Sequence, residues 1–217
     1  MNTKKISVAV IKRLPRYYRY LGDLLDKEIA RISSHELSER MGITASQIRQ
    51  DLNNFGSFGQ QGYGYNVATL YHEIKRILGL DKTYNLIIVG AGNFGQTLAK
   101  YSNFHKRGFR FMALFDEDPS LIGKEVNGFE IMDSMHLLGY LENNHVDIVV
   151  LTVPSSAAEK VSEMLSRTKI KGIWNFSNID LSLPENILVE NVRLTDSLMT
   201  LSYQINEEEI LERAFKG

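Results

Sequence analysis

Apolar residues along this chain follow two different periods, and the change from one to the other falls at Tyr84. Before it the spacing is helical. Tyr17, Tyr20, Leu21, Leu24 and Leu25 form a stripe over about two turns and predict a first helix opening at Pro15, whose missing N–H costs nothing in a first turn. Ser33 with Glu36, and Thr44 with Gln47, each match a capping box, so two short helices are expected to start there, the second over residues 45–53. Met41-Gly42-Ile43 between them supplies a tight turn in which glycine can take a positive φ, the spacing of a helix-turn-helix. The run from Phe55 to Tyr65 alternates aromatics with four glycines and predicts a hairpin. Val67, Leu70, Ile74, Ile77 and Leu78 then predict a helix before the linker Gly79-Leu80-Asp81-Lys82.

From Tyr84 onward, short apolar runs alternate with helical stretches. A strand over 86–89, a helix over 96–101 and a strand over 109–116 read as a parallel βαβ unit. Further strands are expected at 146–153, 170–176 and 187–191, with helices near 134–142 and 157–165. The chain closes on a helical pattern, Leu198, Leu201, Ile205, Ile210, Leu211 and Phe215, after its sheet is complete. Such a helix packs against a second subunit or docks back on its own sheet. The expected class is α/β: a winged helix-turn-helix domain over 1–80, a Rossmann-type dinucleotide-binding domain over 83–192 and a terminal dimerisation helix over 193–217.

Composition narrows the chemistry. The chain has 217 residues and no cysteine, which removes disulfides, thiolate metal sites and thiol redox chemistry; no metal is expected. No apolar run is long enough to span a bilayer and the amino terminus does not read as a signal peptide, so the expected location is cytoplasmic, without a membrane partner. The net charge of -1 hides an asymmetry, with 12 Lys/Arg against 7 Asp/Glu in residues 1–80 and 13 against 19 in the rest. Six basic residues, Arg13 and Arg16 among them, fall in the first 20, so these two are candidate phosphate contacts on DNA. A solvated charged face is the alternative.

In a helix-turn-helix the second helix presents its early residues to base edges. Ser46, Gln47, Arg49 and Gln50 are the exposed candidates, with glutamine suited to adenine and arginine to guanine. A hairpin directly after that helix reads as a wing, where Gly59, Gln60 and Gln61 could approach the backbone. An ordinary surface helix and a packing hairpin are the alternatives. Gly90-Ala91-Gly92-Asn93-Phe94-Gly95 follows a strand, opens a helix, and is answered 24 residues after Gly92 by Asp116 at the next strand's end. Gly90 would turn, Gly92 would admit a pyrophosphate and Gly95 would let helix and strand pack closely. Asp116 suits ribose hydroxyls and repels a 2′-phosphate, which favours NADH and NAD+ over their phosphorylated forms; a surface turn acid is the alternative. Thr152-Val153-Pro154 and Asn175, at other strand ends, are expected to line the crevice. None of the five histidines sits at a strand end with a carboxylate, so no catalytic residue is assigned. A small NAD-dependent oxidoreductase and a binder of a CoA-like nucleotide remain as alternatives.

Across nearly its whole length the chain resembles the Rex family of redox-sensing transcriptional repressors. The matching segments are Ser33-Ser34-x-Glu36-Leu37, Gln47-Ile48-Arg49-Gln50-Asp51-Leu52, Phe55 to Gly59, Gly90 to Gly95, Phe115-Asp116-x-Asp118-Pro119, Leu151 to Pro154 and Asn175-Phe176. The resemblance implies a homodimer with exchanged terminal helices, palindromic operator DNA of fermentation and anaerobic respiration genes, and release by NADH in competition with NAD+. It carries DNA contact to Arg49 and the wing and cofactor contact to Gly90 through Gly95 and Asp116. It adds Tyr101, and Arg19 on the first helix, as candidates for coupling cofactor state to domain orientation. Gln50 and Gln61 stand where some relatives are basic, and Arg193-Leu194 where some carry an acidic-aromatic pair.

Overall fold

A computed structural model describes residues 6–56, 58–60 and 63–216, and the chain divides into two compact units, Met1–Lys82 and Thr83–Gly217. The first contains α1 (Val8–Leu25), β1 (Arg31–Ile32), α2 (Ser34–Met41), α3 (Ala45–Asn53), β2 (Gly59–Gln60), β3 (Gly64–Asn66) and α4 (Val67–Ile77). Leu14, Tyr17, Leu21 and Leu24 of α1 bury against Leu37, Ile48, Leu52, Leu70 and Ile74, so one apolar layer fixes all four helices. The expected start of α1 at Pro15 is corrected: Ser7 caps the helix, with its hydroxyl 3.4 Å from the Val10 N–H, and Pro15 lies in the interior. A proline there leaves the Ile11 carbonyl without its helical donor, at a cost of about 3 kcal/mol. The buried row from Val10 to Leu24 runs through the break and offsets that cost.

The capping box at α2 forms, with the Glu36 N–H donating to Ser33 Oγ at 3.1 Å and the Ser33 N–H donating to the Glu36 carboxylate at 2.7 Å. Gly42 ends α2 with φ +63°. Thr44 caps α3 by accepting from the Gln47 N–H at 3.1 Å. β2 and β3 pair antiparallel, and β1 adds on the other side of β3.

The second unit contains β4 (Tyr84–Val89), α5 (Asn93–Lys100), α6 (Asn103–Lys106), β5 (Phe109–Asp116), β6 (Glu125–Val126), β7 (Phe129–Asp133), α7 (Leu137–Asn143), β8 (Ile148–Leu151), α8 (Ser155–Leu165), β9 (Gly172–Asn175), β10 (Leu188–Asn191) and α9 (Leu194–Lys216). The sheet order is β10-β9-β8-β4-β5-β7-β6, parallel except for the β6–β7 pair. That antiparallel pair was not expected from the sequence. One face packs Ile87, Val89, Phe115, Val149 and Leu151 against Leu137 of α7 and Ala158 and Leu165 of α8; the other packs Leu86, Ile88 and Val150 against Ala99 of α5. The chain leaves β4 for β5 on one side and later returns to β4 through β8 on the other. A crevice for ligands opens at such a reversal, beyond the carboxyl ends of the strands.

Candidate functional site

At that reversal the turn after β4 is held from three sides. Gly90 has φ +102°, and a Cβ there would lie 2.7 Å from the Thr152 carbonyl carbon. The Thr152 hydroxyl is 2.6 Å from the Gly90 carbonyl oxygen and donates to it. A Cβ on Gly95 would run into that same Gly90 oxygen, so Gly95 is what lets α5 sit close on β4. Gly92 differs: a Cβ there would meet nothing within 4 Å. It caps α5 without a side-chain hydrogen bond, and the first N–H groups of α5 face the open space beside it.

Asp116 reaches the turn from the end of β5. Its Oδ2 accepts from the Ala91 N–H at 2.6 Å and its Oδ1 from the Asp118 N–H at 2.9 Å. Each carboxylate oxygen has a second lone pair for a sugar hydroxyl. Gln96, which the sequence reading did not single out, donates from Nε2 to the Ala91 carbonyl at 2.8 Å. The glycine cradle, the helix N-terminus and the carboxylate fit a dinucleotide.

Asn93 opens α5, and Phe94 is 39% exposed with its ring edge-on to Phe176, centroids 4.9 Å apart. Val153 and Pro154 follow β8 beside Thr152. Asn175 and Tyr101 both have hydrogen-bond partners within the chain. Asn175 is fully buried, its amide donating to the Ile179 carbonyl and Asn191 Oδ1 and its oxygen accepting from the Ser177 N–H and hydroxyl, so it braces the loop after β9. Tyr101 caps the far end of α5, about 13.5 Å along the helix from Gly92, and its hydroxyl accepts from Asn103 at 3.1 Å.

In the first unit Ser46, Arg49 and Gln50 are exposed on α3. Arg49 Nη1 donates to Ser34 Oγ at 3.0 Å. Gly59 and Gln60 form β2, while Gln61 lies outside the described residues. Arg13 and Arg16, expected on phosphates, face inward. Arg13 donates from Nε and Nη2 to Asp51 at 2.6 and 2.7 Å, and Arg16 donates to the Met41 carbonyl at 2.7 Å, satisfying the end of α2. Gln47 donates from Nε2 to Asp51 at 2.8 Å and Tyr17 from its hydroxyl at 3.0 Å. Asp51, fully buried, is the hub the sequence reading missed. Burial works to raise its pKa, but the hydrogen bonds from Arg13, Gln47 and Tyr17, with the Arg13 charge, outweigh that and hold it below the usual carboxylate range. Arg19 is exposed, its guanidinium 5.6 Å from the centre of the Tyr20 ring. Arg193 pairs with Asp180 at 2.6 Å.

Every side chain described on α9, Leu194 to Ile210, is exposed. Leu194, Leu198, Leu201 and Ile205 form one apolar stripe; Met199, Tyr203 and Ile210 form another on the opposite side. On the α5 face of the sheet an apolar groove of 560 Å³ is lined by residues including Tyr84, Leu86, Phe104, Phe109, Trp174 and Leu188. Among the described residues no helix is long and apolar enough to cross a membrane and no acidic or histidine cluster could hold a metal ion.

Residues 5–53 match the family described as a putative DNA-binding protein N-terminus, and residues 81–179 the one described as a CoA binding domain. The redox-sensing transcriptional repressor Rex of Clostridioides difficile (strain 630) is 56% identical over 207 residues, 95% of this chain and 99% of that protein. Its namesake in Clostridium botulinum (strain Hall) is 58% identical over 206 residues, covering 95% and 98%. A crystal structure of RSP in complex with beta-NAD+ and operator DNA matches with a TM-score of 0.88 at 54% identity, covering 96% of each chain. RSP with beta-NADH matches at 0.89 and 50%, covering 97% and 99%.

Proposed function

Because this chain belongs to the Rex family of redox-sensing transcriptional repressors, we propose that it represses operons of fermentation and anaerobic respiration in the cytoplasm and is released from their operators by NADH, with NAD+ as competitor. The observation that carries this reading is the presence, in one chain, of a helix-turn-helix with Arg49 and Gln50 exposed and open space at Gly92 beside a turn that Asp116 holds. The residues that would hold the nucleotide are Gly90 through Gly95 and Asp116, with Val153 and Pro154 at the rim and Thr152 bracing the turn. Ser46, Gln47, Arg49, Gln50, Gly59, Gln60 and Gln61 form the DNA-facing set, the hairpin serving as the wing. No covalent step is needed: NADH acts by binding the DNA-incompetent arrangement more tightly, and a preference of ~100-fold supplies about 2.7 kcal/mol of coupling.

The reading includes a homodimer of the units 1–80, 83–192 and 193–217. Two opposed apolar stripes on α9 need two surfaces to cover them, and the apolar groove on the sheet supplies one in a second copy. A dimer also gives a palindromic operator its two readers. The match of residues 81–179 to the CoA binding domain model favours a second ligand class, a CoA-like nucleotide. Calorimetry with Asp116→Ala separates them: NADH and NAD+ affinity should both fall about tenfold or more through loss of hydrogen bonds to a charged acceptor. Unchanged NADH affinity, or tighter binding of CoA than of either dinucleotide, counts against the NAD(H) reading.

A further inference from the structure

We propose that Asp51 fixes the Gln47 side-chain amide with its oxygen turned outward, so that Gln47 reads its base by accepting a hydrogen bond from an exocyclic amine, adenine N6 or cytosine N4. The inference rests on the DNA-binding reading above. Asp51 and Gln47 lie four residues apart on one side of α3, and Asp51 is fully buried. A buried carboxylate is tolerated only when donors satisfy it, and this one accepts from Arg13 twice, from Tyr17 and from Gln47. An ionised carboxylate accepts and cannot donate. Of the two ends of the Gln47 amide, only the NH2 can face it; the reverse orientation would set oxygen against oxygen. The Arg13 charge holds Asp51 ionised and so holds the amide in one sense.

Gln47 sits in the first turn of α3, half-buried, and its side-chain oxygen accepts no hydrogen bond from any described residue. That turn is the part of a recognition helix that meets base edges. In the major groove adenine and cytosine present an amine, whereas the oxygens of guanine and thymine can only accept. An untethered glutamine would turn to suit either kind of base. Asp51 is thus a positioning residue, and Arg13, 38 residues earlier on α1, acts through it as the clamp between the two helices.

The test is an amine-deletion scan with the full chain. Adenine is replaced by purine, and cytosine by 2-pyrimidinone, one position at a time through the operator half-site. Affinity is measured for wild type, Gln47→Met and Asp51→Asn, with thermal melts of each. At one position, loss of the amine should weaken wild type about tenfold and Gln47→Met less than about twofold. Asp51→Asn, whose own amide can donate as well as accept, should shrink the wild-type loss at that same position. A purely structural Asp51 would instead lower affinity for all these DNAs equally. The idea is overturned if no amine deletion couples to Gln47→Met, or if the coupling survives intact in Asp51→Asn. Should Asp51→Asn fail to fold, side-chain amide NMR of the free wild type decides: the Gln47 NH2 must show slowed exchange, and exchange like that of a surface glutamine refutes the tether. Wild type that binds no DNA sequence selectively overturns the DNA-binding reading itself, an outcome distinct from selective binding without the Gln47 coupling.

Discussion

Gly92 and Gly95 are three residues apart in one fingerprint, yet their surroundings predict opposite consequences for the same substitution. An alanine methyl at Gly95 runs into the Gly90 carbonyl, so Gly95→Ala must push α5 off β4 and should lower the melting temperature as well as abolish dinucleotide binding. An alanine methyl at Gly92 meets nothing in the free protein. Gly92→Ala should therefore melt like wild type while NADH affinity falls more than about tenfold, because the methyl fills the space the pyrophosphate needs. Calorimetry and thermal melts on the two variants check this, and equal melting temperatures for both would contradict the packing role given to Gly95.

Asp51 makes a prediction about acid. Its pKa is depressed in the folded chain, so its contribution to stability is complete above the unfolded carboxylate's ~3.9 and is lost as pH falls from there toward the lower folded value. The neighbouring groups are Arg13, which stays charged, and Tyr17, whose hydroxyl is pushed well above its usual range by burial and by Asp51, so neither titrates in that window. Urea melts between pH 5 and pH 3 should show this loss in wild type and a shallower one in Asp51→Asn. The close packing of Gly95 on the Gly90 carbonyl was legible in the sequence because it is local. The partners of Arg13 and Arg16 were not: they lie 38 and 25 residues away, and a basic run looks the same whether it faces phosphate or a buried carboxylate. One signal was available, since Asp51 follows Ile48 by three residues and so falls on the buried side of α3.

At the scale of elements, what a capping residue and its partner three positions on can specify was readable, and α2 and α3 begin where Ser33 and Thr44 predict. The start of α1 was not, because a proline normally marks a first turn and only the tertiary row from Val10 to Leu24 carries the helix through it. The β6–β7 pair escaped for a related reason: two residues of strand have no period, and Asn127 and Gly128 with positive φ make a turn that needs the partner strand to be recognised. The terminal helix was visible as one apolar stripe, while its opposite stripe, with Met199 and Tyr203, appears only once the described side chains, Leu194 to Ile210, are seen to be exposed. If both stripes are buried between subunits, Leu198→Lys with Leu201→Lys should give a folded monomer by light scattering, with unchanged helical circular dichroism per residue and operator affinity lost by about 100-fold or more as paired half-site contact disappears. A dimer that survives the double substitution would remove α9 from the interface.

For the whole molecule, the proposed function requires a DNA reader in one compact unit to be coupled to a dinucleotide turn in the other through a dimer whose arrangement the nucleotide selects. Both binding functions are local to their units. The coupling is not, and it requires that NADH and NAD+ differ in which arrangement they stabilise, since a ligand with equal affinity for two states shifts nothing. Linkage then fixes the reciprocal effect: operator DNA must weaken NADH binding by the same factor by which NADH weakens operator binding. The most direct test is fluorescence anisotropy of a labelled palindromic operator bound by the full chain, titrated separately with NADH and NAD+ at one salt concentration. The expected result is release by NADH with an operator affinity lower by ~100-fold at saturation, little or no release by NAD+ alone, and recovery of the complex when NAD+ is added in excess to the NADH-released sample. Equal effects of the two nucleotides, or none from either while calorimetry shows both to bind, would contradict it.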